Sequence, residues 1–367
     1  MSDELREAIA TRIGASGPMS LAEYMAECLL HPRHGYYARR EPFGAGGDFV
    51  TAPEISQLFG EIVGAFMIHV WRQAGRPAPF ALAEAGPGRG TLMADMLRTA
   101  RLDPEFRAAA RVVLIEASER LRGVQRARLG DDGADAQWVD TIAALPGLPT
   151  FLVANEFFDA LPIRQFVNTA GGWRERMVGL DDRGALHFVA GPGGIDPALL
   201  PPGHGDAPEG AIFETSPARE AAAAELAAHI ARHGGLALVF DYGHLQPGIG
   251  DTFQAVRDHA YADPLAAPGR ADLTSHVDFA ALARAARQAG AHVPAAMTQG
   301  AFLLASGMAE RAGALGAGKS GPEQAAIVAA VERLCGEDEG GMGALFKVMG
   351  IAHPRLGRPI VPFELPA

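Results

Sequence analysis

Residues Phe80-Ala-Leu-Ala-Glu84-Ala-Gly86-Pro-Gly88-Arg-Gly90-Thr91 decide the fold. A short apolar run closes on glycines at every second position and passes into a helical pattern from Leu92, so it reads as strand, tight loop and helix. A loop of this kind lets backbone come close to a ligand at a helix N-terminus. The dinucleotide fingerprint G-x-G-x-x-G needs glycine at 91, where Thr91 stands, so an S-adenosylmethionine loop fits better than a nicotinamide loop. Outward from this stretch, short apolar strands fall at Val112–Ile115, Trp138–Val139, Phe151–Ala154 and Leu236–Phe240, with a helix from Glu119. This alternation is the pattern of an α/β, doubly wound, mostly parallel sheet.

In such a sheet the ligand crevice lies at the carboxyl ends of the strands. The second strand ends at Glu116, where an acid can accept hydrogen bonds from ribose hydroxyls, and Asp140 after the third strand is placed for an adenine amino group. The fourth runs into Asn155-Glu156-Phe157-Phe158-Asp159. Glu156 and Asp159, with aromatic neighbours, form a candidate clamp for a cationic nucleophile. A guanidinium titrates above a pKa of about 12, so carboxylates beside it can orient a nitrogen and take its proton. Asp241-Tyr242-Gly243, after the fifth strand, is a weaker case of the same kind.

The flanks carry helix signals. Ser20-Leu-Ala-Glu23 is a capping box. A Gly-rich loop, Phe43 to Asp48, precedes a second expected box at Thr51-Ala-Pro-Glu54, opening a helix with Ile55, Leu58, Phe59, Ile62, Val63, Phe66, Val70 and Trp71 on one face. The expected organisation is a helical extension over 1–78 and a catalytic domain over 79–367. An insertion at about 163–233 holds a hairpin, Trp173–Leu180 with Ala185–Val189. Further expectations are a helix opening at Ser275 and a strand at Leu345–Val348.

Acidic residues outnumber basic ones by 43 to 32, a net charge of −11, which argues against a nucleic-acid coat or an anionic-membrane binder and suits cationic partners. The apolar stretch Ile62 to Trp71 falls far short of the ~20 residues that span a bilayer. The acidic start Met1-Ser2-Asp3-Glu4 sets a cytoplasmic expectation. Cys28 and Cys335 supply no zinc pattern, and His31 with His34 lacks supporting ligands, so no metal is assigned. Gly313-Ala-Leu-Gly-Ala-Gly318-Lys319-Ser320 matches the P-loop pattern, but Phe302–Arg311 before it reads as helix rather than strand, so the match is taken as chance in an Ala/Gly-rich chain.

The chain resembles the MidA-like methyltransferases, a family that includes the mitochondrial complex I assembly-factor arginine methyltransferase and bacterial relatives. The resemblance rests on His31-Pro32 to Tyr37, Gly47-Asp-Phe-Val-Thr-Ala-Pro-Glu-Ile-Ser-Gln-Leu-Phe-Gly-Glu61, Glu84 to Leu92 and Asn155 to Pro162. Asp241-Tyr242-Gly243, Ala271 to Phe279, and Thr298-Gln299-Gly300 with Phe302-Leu303 extend it over nearly the whole chain. Ala85 departs from the family's larger apolar residue at that position. The resemblance implies a seven-stranded class I methyltransferase sheet with S-adenosylmethionine as donor. Glu84, Gly86, Gly88, Gly90, Glu116, Asp140 and Asn155 would lie at the cofactor, with Asp48 and Thr51 closing over it and Glu156 and Asp159 at the acceptor. It further implies symmetric dimethylation of an arginine on a subunit of respiratory NADH dehydrogenase, and a homodimer is compatible with it. The alternatives are an assembly chaperone that binds the cofactor without turnover, a small-molecule methyltransferase, and a P-loop nucleotide-binding protein.

Overall fold

The computed structural model describes residues 4–39 and 51–364, so the Gly-rich loop with Asp48 lies outside the described residues. The described chain packs into two compact units. One draws on Met1–Phe49, Asp159–Glu220 and Gln246–His276; the other on Val50–Phe158, Ala221–Leu245 and Val277–Ala367. Residues 51–78 therefore pack with the sheet that follows them.

The first unit joins the N-terminal segment to the expected insertion. Its five-stranded sheet is antiparallel: Gly172–Leu180 lies between Met19–Ser20 and Arg164–Thr169, pairs also with Leu186–Gly194, and Arg164–Thr169 continues to Ile212–Thr215. Helices Glu4–Ser16 and Leu21–Leu30 bury Leu5, Ile9, Tyr24, Met25 and Cys28 in a core shared with Ile163, Val178 and Leu273. The Ser20 capping box is formed, with Glu23 N–H on the Ser20 hydroxyl and Ser20 N–H on the Glu23 carboxylate. The hairpin turn also forms as expected, with Asp181 Oδ1 accepting from Arg183 and Ala185 N–H.

The second unit holds the central sheet: β1 (Phe80–Ala85), β2 (Ala110–Ile115), β3 (Gln137–Val139), β4 (Thr150–Asn155), β5 (Gly235–His244), β6 (Met297–Thr298) and β7 (Phe346–Ala352). The order is β6-β7-β5-β4-β1-β2-β3, with β1 to β5 mutually parallel and β7 antiparallel to both neighbours. Val277–Asp278 adds a short parallel pairing at the end of β5. β1 and β4 are buried at every residue, which explains their continuous apolar runs: a parallel strand covered on both faces has no polar side to alternate with. The long helix α1 (Gln57–Gln73) and α2 (Thr91–Ala100) line the core with Phe59, Ile62, Phe66, Trp71, Leu92 and Met96.

Two helix starts differ from expectation. Thr51 caps only the four residues Ala52–Ile55 and makes no side-chain cap; the chain then extends at Ser56, whose hydroxyl accepts Leu58 N–H and opens α1. The Glu54 carboxylate, needed for a capping box, instead accepts the Thr91 hydroxyl at 2.5 Å. The helix expected at Ser275 opens at Phe279, capped by Asp278, because the Ser275 hydroxyl is taken by Arg219 Nη2 at 2.7 Å. The P-loop match is built from helix Met308–Gly316 and helix Gly321–Cys335, with Ser320 capping the second; no strand precedes it, and Lys319 faces Glu323 at 3.5 Å.

α1 and α2 meet at Gly60 and Gly64. A Cβ at Gly60 would lie 2.5 Å from Asp95 Cβ, and one at Gly64 3.1 Å from the Met96 Cα, so the backbones are close enough to exclude side chains. Gly60→Ala is expected to destabilise the protein by about 1–3 kcal/mol through overpacking. Gly123→Ala, inside helix Glu119–Leu129 with nothing within 4 Å of its Cβ position, is expected to be neutral or stabilising by about 0.5–1 kcal/mol. Denaturant unfolding of the two variants measures both, and equal destabilisation would refute the close-approach account.

Candidate cofactor and acceptor site

The site is built at the carboxyl ends of β1, β2 and β4. After β1 the chain turns through Gly86 (φ 64°), Gly88 (φ 52°) and Gly90 (φ 80°), all in the left-handed region, and Gly90 caps α2. Glycine is required here twice over, because a Cβ on Gly86 would also lie 3.0 Å from the Phe157 ring. That contact sets the β4 loop against the β1 loop.

Glu84 is 3% exposed near the end of β1. Burial pushes its carboxyl up to about 8, eased by the Met93 N–H and reinforced by the charge of Asp95. The acid therefore reaches over to the first turn of α2 and holds its proton to a higher pH than a free carboxyl does. Its Oε2 has no hydrogen-bond partner among the described residues.

Glu116 follows β2. Its carboxylate accepts Ser118 N–H at 2.8 Å and Gln125 Nε2 at 3.2 Å, and burial raises its pKa against both of these hydrogen bonds. A carboxylate offers about four acceptor positions, so two donors hold it while leaving capacity for a diol. Gln125, on helix α3 (Glu119–Leu129), is fully buried; it also donates to the Gly88 carbonyl at 2.9 Å and accepts Trp138 Nε1–H at 2.8 Å. Asp140 is exposed and pairs with Arg122 at 2.5 Å, the same arginine whose Nε donates to the Glu116 carbonyl.

At the end of β4, Asn155 Nδ2 donates to Glu156 Oε1 at 3.0 Å. Since a carboxylate only accepts, this fixes the amide orientation and leaves the buried Asn155 Oδ1 without a partner among the described residues. Glu156 is held at φ 51°, a left-handed conformation uncommon for a residue with a side chain. The same Oε1 accepts Ala52 N–H at 3.3 Å, so the buried Thr51 and its neighbour Ala52 meet the β4 loop. Asp241, buried on β5, accepts Phe158 N–H at 3.0 Å and anchors that loop from the other side.

Glu84, the three glycines, Glu116, Asn155, Glu156 and Thr51 thus belong to one unit. Asp159 belongs to the first unit, where its carbonyl accepts Arg219 Nη2 at 2.7 Å and Ser275 N–H at 3.3 Å. Sequence reading missed Gln125, Ala52 N–H and the anchoring use of Asp241. Gln125 had a signal: Leu121, Gln125 and Leu129 form the buried stripe of α3, and a carboxamide in an apolar stripe needs partners.

S-adenosylmethionine fits this arrangement. The glycine loop offers close backbone approach at a helix start, Glu116 offers acceptors to a ribose, and the two buried oxygens without partners, Glu84 Oε2 and Asn155 Oδ1, suit a ligand that brings an ammonium donor. Strand order and loop chemistry together define a class I methyltransferase that uses S-adenosylmethionine. The chain belongs to the S-adenosyl-L-methionine-dependent methyltransferase family whose model matches residues 62–297, and the MidA-like resemblance holds. It is similar to the mitochondrial protein arginine methyltransferase NDUFAF7 of Homo sapiens, 38% identical over 75% of this chain and 67% of that one. The NDUFAF7 homolog of Drosophila melanogaster is 35% identical over 82% and 74%. A crystal structure of a Burkholderia thailandensis protein bound to S-adenosyl-homocysteine superposes with TM-score 0.81 at 30% identity, covering 96% of this chain and 93% of that one. Among the described residues no helix is long and apolar enough to cross a membrane, and no group of His, Cys, Asp and Glu could hold a metal ion.

The raised pKa of Glu84 has a defined sign in stability. The folded state holds its proton up to about pH 8, the unfolded chain only to about 4.5, so this residue's contribution falls as pH rises through that window. The stability of Glu84→Gln relative to the parent protein should therefore increase steadily from pH 5 to pH 8. Chemical denaturation at several pH values measures it, and a difference that stays constant with pH would show that Glu84 titrates normally.

Proposed function

We propose that this methyltransferase acts on an arginine side chain of a protein, with Glu156 as the carboxylate that holds the accepting guanidinium. The observation that carries the reading is the Glu156 conformation: a side-chain-bearing residue in the left-handed region at the carboxyl end of β4, its carboxylate fixed by Asn155 and Ala52 N–H. Such a conformation costs on the order of 1–3 kcal/mol and persists where the surroundings over-determine it, commonly at functional sites. The naming of the Homo sapiens and Drosophila melanogaster relatives as protein arginine methyltransferases supports the acceptor class.

In this reading the backbone of Gly86, Gly88 and Gly90 lies along the cofactor and Glu116 accepts its ribose hydroxyls. Glu84 and Asn155 receive its amino-acid end, Asp140 serves the adenine, and Thr51 closes the site. Bound S-adenosylmethionine supplies an electrophilic methyl group on a positively charged sulfur. The protein's task is then to orient one guanidinium nitrogen and to receive the proton that nitrogen loses as it forms its bond to carbon. The Glu156 carboxylate serves both purposes, because an ionic hydrogen bond fixes the planar guanidinium and the same oxygen can accept its proton. Symmetric dimethylation and a subunit of respiratory NADH dehydrogenase as substrate are the finer parts of the proposal, and the sequence resemblance carries them.

Glu156→Gln keeps the size of the side chain and an oxygen for Ala52 N–H but removes the charge. It should bind S-adenosyl-homocysteine within about twofold of the parent protein while methyl transfer to protein arginine falls by about 10²-fold or more. Calorimetry and mass spectrometry of methylarginine in a lysate lacking the gene measure the two quantities. Transfer at the parental rate would remove Glu156 from the mechanism, and methyl found on a small molecule alone would remove the protein acceptor.

A further inference from the structure

We propose that Gln125 is the positioning residue of the cofactor site, a single carboxamide that ties the glycine loop to Glu116 so that the two halves of the site hold one geometry. The inference rests on the assignment of Gly88 and Glu116 to the cofactor.

Gln125 is fully buried, and each of its polar atoms has a defined partner. Trp138 Nε1–H can only donate, so the atom facing it at 2.8 Å is the Gln125 oxygen. That choice turns Nε2 toward the loop, where its two hydrogens have two acceptors: the Gly88 carbonyl at 2.9 Å and Glu116 Oε2 at 3.2 Å. The chain around it is close-packed, since a Cβ on Gly90 would lie 3.5 Å from the Gln125 Cα. One side chain thus touches three segments: the loop after β1, the acid after β2 and the indole of β3.

The chemistry of the group matters as much as its position. A carboxamide donates to Glu116 without neutralising it, so the carboxylate keeps its charge for a ribose diol; a lysine or arginine there would compete for the same oxygens. A carboxylate at 125 could still accept from Trp138 but would face the Gly88 carbonyl and Glu116 without a hydrogen to give. The other members of the buried stripe of α3, Leu121 and Leu129, are apolar, so Gln125 is its one polar residue.

Three substitutions test this, each read by calorimetric binding of S-adenosyl-homocysteine and by steady-state kinetics. Gln125→Leu leaves the Gly88 carbonyl and Glu116 without their donor and should weaken binding by about tenfold or more. The KM for S-adenosylmethionine should rise in proportion, with kcat changed little, because Gln125 touches neither the acceptor nor the moving methyl. Gln125→Glu should show the same loss at pH 8 and recover toward parental affinity as pH falls, since a protonated carboxyl regains one donor. A purely structural role would lower thermal stability without that recovery. Glu116→Ala is the control and should abolish tight binding. Parental affinity in Gln125→Leu, or a pH-independent loss in Gln125→Glu, overturns the proposal. Parental affinity in Glu116→Ala overturns the assignment of the site and the proposal with it.

Discussion

A backbone that must approach a ligand cannot carry side chains where the approach occurs. At the end of β1 three left-handed glycines in five residues leave the backbone bare in this way, and neighbouring segments of the second unit pack to keep them there. The loop has little rigidity of its own. It is held instead by its neighbours: Gln125 on the Gly88 carbonyl, Phe157 against Gly86, and Thr91 linked through its hydroxyl to Glu54. The fourth left-handed residue of the site, Glu156, is of the opposite kind. There the side chain is retained, and the hydrogen bonds around it hold the unfavourable backbone in place.

The segment 51–56 owes its form to the same need. A continuous helix from Thr51 would be locally cheaper, with the capping box its residues offer. The chain breaks at Ser56 instead, so that Ala52 N–H points to Glu156 and the Glu54 carboxylate to Thr91. α1 then begins afresh and is locked to α2 through Gly60 and Gly64, while Glu61 bridges Arg98 and Arg311. The short helical turn, the glycine loop and the acidic loop are in this way parts of one arrangement.

The parallel strands were legible because burial on both faces leaves continuous apolar runs, and the strand starts at Phe80 and Phe151 are found within a residue. Helix starts were less legible. Thr51 and Ser275 both carry the right residue for a cap, but groups distant in sequence take the hydrogen bonds: Thr91 engages the Glu54 carboxylate that a box at Thr51 needs, and Arg219 engages the Ser275 hydroxyl itself. The long-range pairing that assembles the first unit from three chain segments leaves no local trace at all, which is why its strands appeared in sequence only as an insertion. In the site, acids at strand ends could be listed from spacing. The neutral groups that hold them, Gln125 and the Ala52 amide, could not, since hydrogen bonding of this kind shows only when the elements are assembled.

The stretch that imitates a nucleotide-binding loop has a use that its resemblance conceals. Residues 317–320 join two helices at the surface, all four are exposed, and the glycines around them meet little. Chain connections of this kind tolerate insertion better than any other part of a fold. A fluorophore or an affinity peptide placed there would report on the protein from outside the sheet, leaving β1, β4 and their loops as they are.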